Sequence, residues 1–109
     1  MLRTKSQQKK ICTGCPMAKA ANLVGDTVVL IIIKELLNGS KRFGVLCDHL
    51  EGVSTRTITQ KLKQLEDQKL VLRTEYKAKP PHVEYSLTER GRGLKTIVNA
   101  LLKYGEKYL

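Results

Sequence analysis

Acidic residues are scarce in this chain, and its first 25 residues contain none at all. Ten Asp and Glu stand against twenty Lys and Arg over 109 residues, a net charge of +10, and Arg3, Lys5, Lys9, Lys10 and Lys19 all fall in the acid-free stretch. Long apolar runs are also missing. The longest, Val28 to Ile33, falls far short of the roughly 18 residues that span a bilayer. Met1 to Gly25 assembles no charged n-region, apolar h-region and cleavage site, so a cytoplasmic protein is expected. Three cysteines, an odd number, argue against a disulfide framework. Paired-carboxylate and phosphate-loop motifs are absent, and His49 and His82 stand in unrelated contexts, so no enzyme and no cofactor are expected.

What is present is positive charge, and a polyanionic partner follows from it; the plainer reading of such charge is a solvated surface that aids solubility. Nucleic acid is favoured over a membrane surface because no segment outside the expected core joins a basic face to a broad apolar one. The length suits one domain with a modest core. Residues 1–11 are polar, basic and without apolar periodicity, so they read as a flexible arm. Residues 12–109 read as a single domain.

The most informative stretch is Phe43 to Val71. Phe43, Leu46 and Leu50 form an apolar stripe on a short helix. Gly52 and Val53 supply a bend, and Ser54 is placed to cap a second helix. In that helix Ile58, Leu62 and Leu65 recur at i, i+4 and i+7, which stacks them on one face. Arg56, Gln60 and Lys63 fall opposite, flanked by Thr57, Thr59 and Gln64, and no acidic residue precedes Glu66. A helix pair with a Gly-containing turn and a basic outer face has the layout of a helix-turn-helix, whose second helix enters the DNA major groove. Ser54, Thr55, Arg56, Thr57, Thr59, Gln60 and Lys63 are therefore the candidate reading residues, with Lys41 and Arg42 placed to hold the phosphate backbone.

Upstream, Pro16 suits the first position of a helix that ends at Gly25. Asp26 then caps Thr27 to Leu37, and Asn38-Gly39 stops it. The β-branched run Val28 to Ile33 would also pass for a buried strand. Its flanking caps and the helix formers Lys34-Glu35-Leu36-Leu37 favour a central buried helix. Lys41-Arg42-Phe43 reads as an extended link.

After Leu70 the period changes from 3.6 to 2. Val71–Tyr76 and Val83–Leu87 read as strands, with Val83, Tyr85 and Leu87 on one face. The segment between them is too long and too proline-rich for a two-residue turn. A β-ribbon after a reading helix is a wing, and Arg73, Lys77, Lys79 and His82 are candidates to meet phosphate or minor groove. Thr88 begins a last helix that runs to the C-terminus. Its stripe of Leu94, Ile97, Val98, Leu101, Leu102, Tyr104 and Tyr108 is wider than one small domain needs, which predicts a dimer interface. The expected class is mainly α with a small β-ribbon: a winged helix-turn-helix dimerising through its C-terminal helix.

Set in this order, the residues resemble the HxlR-type winged-helix regulators, which are related to the MarR-type. The matching segments are Cys15-Pro16, Leu36-Leu37-Asn38-Gly39, Arg42-Phe43-Gly44-Val45-Leu46, Val53-Ser54, Leu62-Lys63-Gln64-Leu65-Glu66, Leu70-Val71 and Arg73-Thr74-Glu75-Tyr76. Most specific is Pro80-Pro81-His82-Val83-Glu84-Tyr85-Ser86-Leu87-Thr88-Glu89-Arg90-Gly91. The resemblance implies a homodimer, held by the first and last helices, that binds a short palindromic operator and controls nearby genes. It also implies that a cysteine at the position of Cys15 can sense oxidants or electrophiles. The chain departs from the family at Gly25-Asp26-Thr27-Val28, where a Lys-Trp pair is common, so contacts made through that ring are not carried over.

Cys15 sits where a helix begins, with Lys19 one turn on, a setting that favours a reactive sulfur. Cys47 falls inside the stripe of its helix and reads as a small core residue. Cys12, Cys15, Cys47 and His49 could supply four zinc ligands, but a second C-x-x-C is absent and no metal site is expected. A thioredoxin-like site would need a strand before C-x-x-C, and none precedes it. The rival to a sequence-specific DNA regulator is a winged helix used for protein or RNA contacts.

Overall fold

A computed structural model of the chain describes residues 15–109. The basic arm 1–11 and Cys12 lie outside the described residues. Among the described residues nine elements follow one another: α1 Pro16–Val24, α2 Thr27–Leu37, β1 Lys41–Arg42, α3 Phe43–His49, α4 Thr55–Asp67, β2 Val71–Tyr76, β3 His82–Leu87, α5 Glu89–Arg92 and α6 Lys95–Tyr108.

The β-branched run of α2 is helical because its first turn is anchored. Asp26 Oδ1 accepts the backbone N–H groups of Val28 at 2.8 Å and Val29 at 3.3 Å, which satisfies two of the donors a helix start leaves open. Ile32 and Ile33 are fully buried at its centre. They pack with Leu46 and Leu50 of the α3 region, with Ile58, Leu62 and Leu65 of α4, and with Leu70, Val71, Tyr85 and Leu87 around the sheet. Leu30 and Ile31 are only half-buried, so one side of α2 remains open.

The sheet has the order β1-β3-β2 and is antiparallel. The expected extended link at Lys41-Arg42 is in fact its third strand, with Lys41 opposite Tyr85 and Arg42 opposite Glu84. Phe43 opens α3 rather than closing the link. β3 also begins one residue earlier than the alternation predicts, because His82 pairs with Tyr76 in the register and its ring stacks on that of Tyr76 at 4.8 Å.

The last helix is not continuous. Thr88 Oγ1 accepts the Gly91 N–H at 3.1 Å and donates to the Lys69 carbonyl at 2.7 Å, capping a single turn and fastening it to the start of β2. Gly91 is buried directly against the Leu70 carbonyl, where an added Cβ would lie 2.1 Å from that oxygen. The chain then tightens, with the Leu94 N–H bonding to the Gly91 carbonyl, a 3₁₀-type step that separates α5 from α6.

Candidate nucleic-acid interface

The helix-turn-helix is built on the two stripes the periodicity marks. Leu46 and Leu50 are buried beneath α3, and Ile58, Leu62 and Leu65 beneath α4, each at most 3% exposed. Gly52 takes φ +89 in the turn between them, a left-handed conformation that favours glycine. Ser54 caps α4 by accepting the Thr57 N–H at 3.1 Å, and its own hydroxyl donates to Thr57 Oγ1 at 2.9 Å. Thr59 donates its hydroxyl to the Thr55 carbonyl at 2.8 Å. These threonines and Ser54 thus brace the first turns of the helix.

With the apolar side fixed inward, Arg56, Gln60 and Lys63 are exposed on the outer face, alongside Thr55, Thr59 and Gln64. Lys61, which the sequence reading passed over, behaves differently. Its ammonium lies 2.7 Å from Asp26 Oδ2, and both side chains are about four-fifths covered. Burial alone would raise the Asp26 carboxyl, but the Lys61 hydrogen bond, the Val29 and Val28 N–H groups and the lysine charge together hold it below its usual value. A signal was available in the sequence: Lys61 falls about 60° from Ile58 on the helical wheel, at the margin of the stripe.

The wing is less free than its composition suggests. Arg73 is exposed, but its guanidinium donates to Glu75 Oε1 at 2.6 Å. The Glu75 bond first, and then a bond to Tyr85, raise the Arg73 pKa. His82 does not sit at the tip. It is half-buried in β3, stacked on Tyr76, with Nε2 at 3.0 Å from Glu84 Oε2. Lys77 and Lys79 occupy the connection between the strands and are exposed, with the Lys79–Pro80 peptide cis. Arg42 is exposed on the edge strand β1, opposite Glu84, while half-buried Lys41 turns its ammonium to the Gly39 carbonyl at 3.5 Å. A groove of about 630 Å³, lined by Arg42, Thr59, Arg73, His82 and Tyr85 among others, joins α4 to the wing.

The stripe of the C-terminal helix divides along its length. Leu94 and Val98 are 8% and 5% exposed and belong to the domain's own core, so they are not open to a partner. Ile97 is half-buried against the same core. Leu101, Leu102, Tyr104 and Tyr108 are 39–62% exposed. With Leu30 and Ile31 of α2, Leu101 and Leu102 flank an apolar groove of about 460 Å³.

Cys15 is half-buried immediately before α1, and Cys47 is half-buried against the core; both are free thiols. Burial, with Asp48 adding its charge, pushes the Cys47 thiol up. Among the described residues no group of three or more His, Cys, Asp or Glu could hold a metal ion, and no helix is long and apolar enough to cross a membrane.

This architecture has close relatives. Residues 23–109 match the model of the HxlR-like helix-turn-helix family. The chain is 39% identical over 95 residues to the uncharacterized HTH-type transcriptional regulator sll1512 of Synechocystis sp., covering 87% of this chain and 70% of that one. Among solved structures, a MarR-family transcriptional regulator from Porphyromonas gingivalis W83 superposes with a TM-score of 0.85 at 30% identity, covering 89% of this chain and 95% of that one. The redox regulator HypR in its oxidised form gives a TM-score of 0.81 at 34% identity, over 87% of this chain and 98% of that one. With its winged helix, its basic outward helix face and these matches, the chain belongs to the HxlR-like helix-turn-helix family of transcriptional regulators.

Proposed function

We propose that the protein is a homodimeric, sequence-specific DNA-binding regulator that acts in the cytoplasm on a palindromic operator. One observation carries the reading: α4 buries its whole apolar stripe and leaves Arg56, Gln60 and Lys63 bare on one face. Arg can donate two hydrogen bonds to the N7 and O6 of guanine, and Gln can donate one to adenine N7 while its carbonyl oxygen accepts one from the N6 amino group. Arg42, Lys77 and Lys79 are the open cations for the phosphate backbone, and Arg73 joins them by exchanging Glu75 for a phosphate. His82, engaged within the protein, contributes by lining the groove between helix and wing, while Lys41 holds its ammonium at the Gly39 carbonyl.

The exposed second half of α6 and the α2–α6 groove support the dimer, since an apolar surface of this kind marks an association site. Two copies related by a twofold axis would set their α4 helices in successive major grooves, about 34–36 Å apart. Leu101, Leu102, Tyr104 and Tyr108 are the residues assigned to that contact.

Selection from random duplexes, followed by mobility-shift titration, tests the reading. A single palindromic sequence is expected, with affinity falling steeply as salt rises because each neutralised phosphate releases counterions. Arg56→Ala is expected to lose about 1–3 kcal/mol of binding and to relax specificity at one position. Binding without sequence preference at any salt would instead favour a protein or RNA partner.

Cys15 is a second element of the proposal. It is a free, half-buried thiol at the start of a helix, and one structural relative is named a redox regulator. Oxidation of Cys15 is expected to change operator affinity. Equal affinity before and after diamide, with loss of the thiol confirmed, would remove the redox trigger and leave the DNA reading intact.

A further inference from the structure

The outer face of α4 can read bases only if the helix is held at one angle about its own axis. Its apolar stripe does not do that alone. Contacts of Ile58, Leu62 and Leu65 with α2 are non-directional. A roll of about 20° sweeps a side-chain tip roughly 6 Å from the axis through about 2 Å, enough to lose a bidentate base contact. A directional bond at the margin of the stripe would stop such a roll.

The Asp26–Lys61 pair has that form. One oxygen of Asp26 is tied to the first turn of α2 through Val28 and Val29, and the other to the ammonium of Lys61 in the middle of α4. The pair sits beside a small polar cleft lined by Asn22, Gln64 and Gln68, with Val29 and Leu65 forming its apolar side. Its partners in sequence on α4, Gln60 and Lys63, point away and are exposed. Of the three cations on α4, Arg56 and Lys63 are open, and Lys61 is spent on this bond.

We infer that the Asp26–Lys61 pair is a strut that fixes the roll of α4 against α2, making both residues positioning residues for DNA readout although neither faces the duplex. The inference rests on the DNA reading above. It makes a prediction of unusual sign. Asp26→Asn removes a negative charge, and electrostatics alone would then tighten binding to every duplex. Asparagine also caps a helix about as well as aspartate, so α2 keeps its anchored start. If the pair is a strut, operator binding weakens while binding to random duplex does not.

The experiment compares the native chain with Asp26→Asn, Lys61→Gln, Lys61→Arg and the double variant Asp26→Asn/Lys61→Gln. Each is titrated on the selected operator and on a random-sequence duplex across a salt series, with thermal melts to confirm folding. Expected are a loss of operator affinity in Asp26→Asn of about tenfold, the scale of one lost base contact, and a double variant no worse than Lys61→Gln. Lys61→Arg restores the native ratio of operator to random binding, and the salt slope stays unchanged throughout. An Asp26→Asn protein with native or tighter operator binding and an unchanged ratio overturns the strut. So does a Lys61→Gln salt slope lowered by about one phosphate, which would make Lys61 a backbone contact. Should Asp26→Asn fail to fold, the slope and ratio of Lys61→Gln decide alone. A native chain that selects no sequence removes the DNA reading itself, whereas success there with unchanged variants removes only the strut.

Discussion

α4 and α6 are both amphipathic helices of this domain, of 13 and 14 residues, yet they spend their apolar faces differently. Along α4 every stripe residue is buried, so what remains outside is polar and cationic. Along α6 only the N-terminal end reaches the core, at Ile97 and Val98 with Leu94 just before them, and the helix then runs on with Leu101, Leu102, Tyr104 and Tyr108 in the open. The rings of Tyr104 and Tyr108 lie 4.9 Å apart, and the Lys107 ammonium is 5.2 Å from the centre of the latter. A stripe consumed by its own core marks a helix whose other face is available. A stripe left over marks a helix whose apolar face is itself available.

Truncations break this comparison most sharply. Leu62→Ala, at a site only 1% exposed, is expected to cost about 2–5 kcal/mol of unfolding free energy. Leu101→Ala, half exposed, is expected to change monomer stability by less than about 0.5 kcal/mol while shifting the association equilibrium toward monomer. Chemical denaturation and sedimentation separate the two. A large monomer penalty at Leu101 would mean that α6 is packed like α4.

Gly91→Ala tests what sets the direction of α6. An added methyl meets the Leu70 carbonyl and Leu87, so a loss of roughly 1–3 kcal/mol is expected, read as a lower melting temperature. Ser54→Ala removes the cap of α4, and about 1 kcal/mol should go with it; a null result would mean that packing alone defines where α4 begins. The smallest effect is that of pH. The Asp26 carboxyl is held below its unfolded value of 3.8, so its contribution is present above that pH. It is lost as the pH falls through the lower folded value. Asp26→Asn should flatten that part of an acid titration of stability.

Much of this was readable in the residues because the forces involved are local. Ile58, Leu62 and Leu65 repeat at helical spacing, Asp26 and Ser54 stand one residue before their helices, and both caps form. The alternation of Val83, Tyr85 and Leu87 marks the inner face of β3, with Tyr85 and Leu87 buried and Val83 half-buried. Partners distant in sequence were not readable. Lys41 and Arg42 become a strand only because β3 offers them an edge, 44 residues on in the pair Lys41 with Tyr85. His82 and Arg73 looked like free wing cations, yet Glu84 and Glu75 engage them from two residues on along the same strand, a same-face spacing that was there to be read.

The sequence by itself determined the order of helices and strands, the buried stripe of α4 and the cations on its far side, because periodicity and capping act within a few residues. Only the tertiary structure decided which charges are open and which apolar residues are spare. Lys61 is taken by Asp26, and Leu94 and Val98 by the core, while Leu101 and Leu102 are left uncovered. The reason is physical: exposure is a property of what packs against a side chain, and that neighbour is set by the fold as a whole.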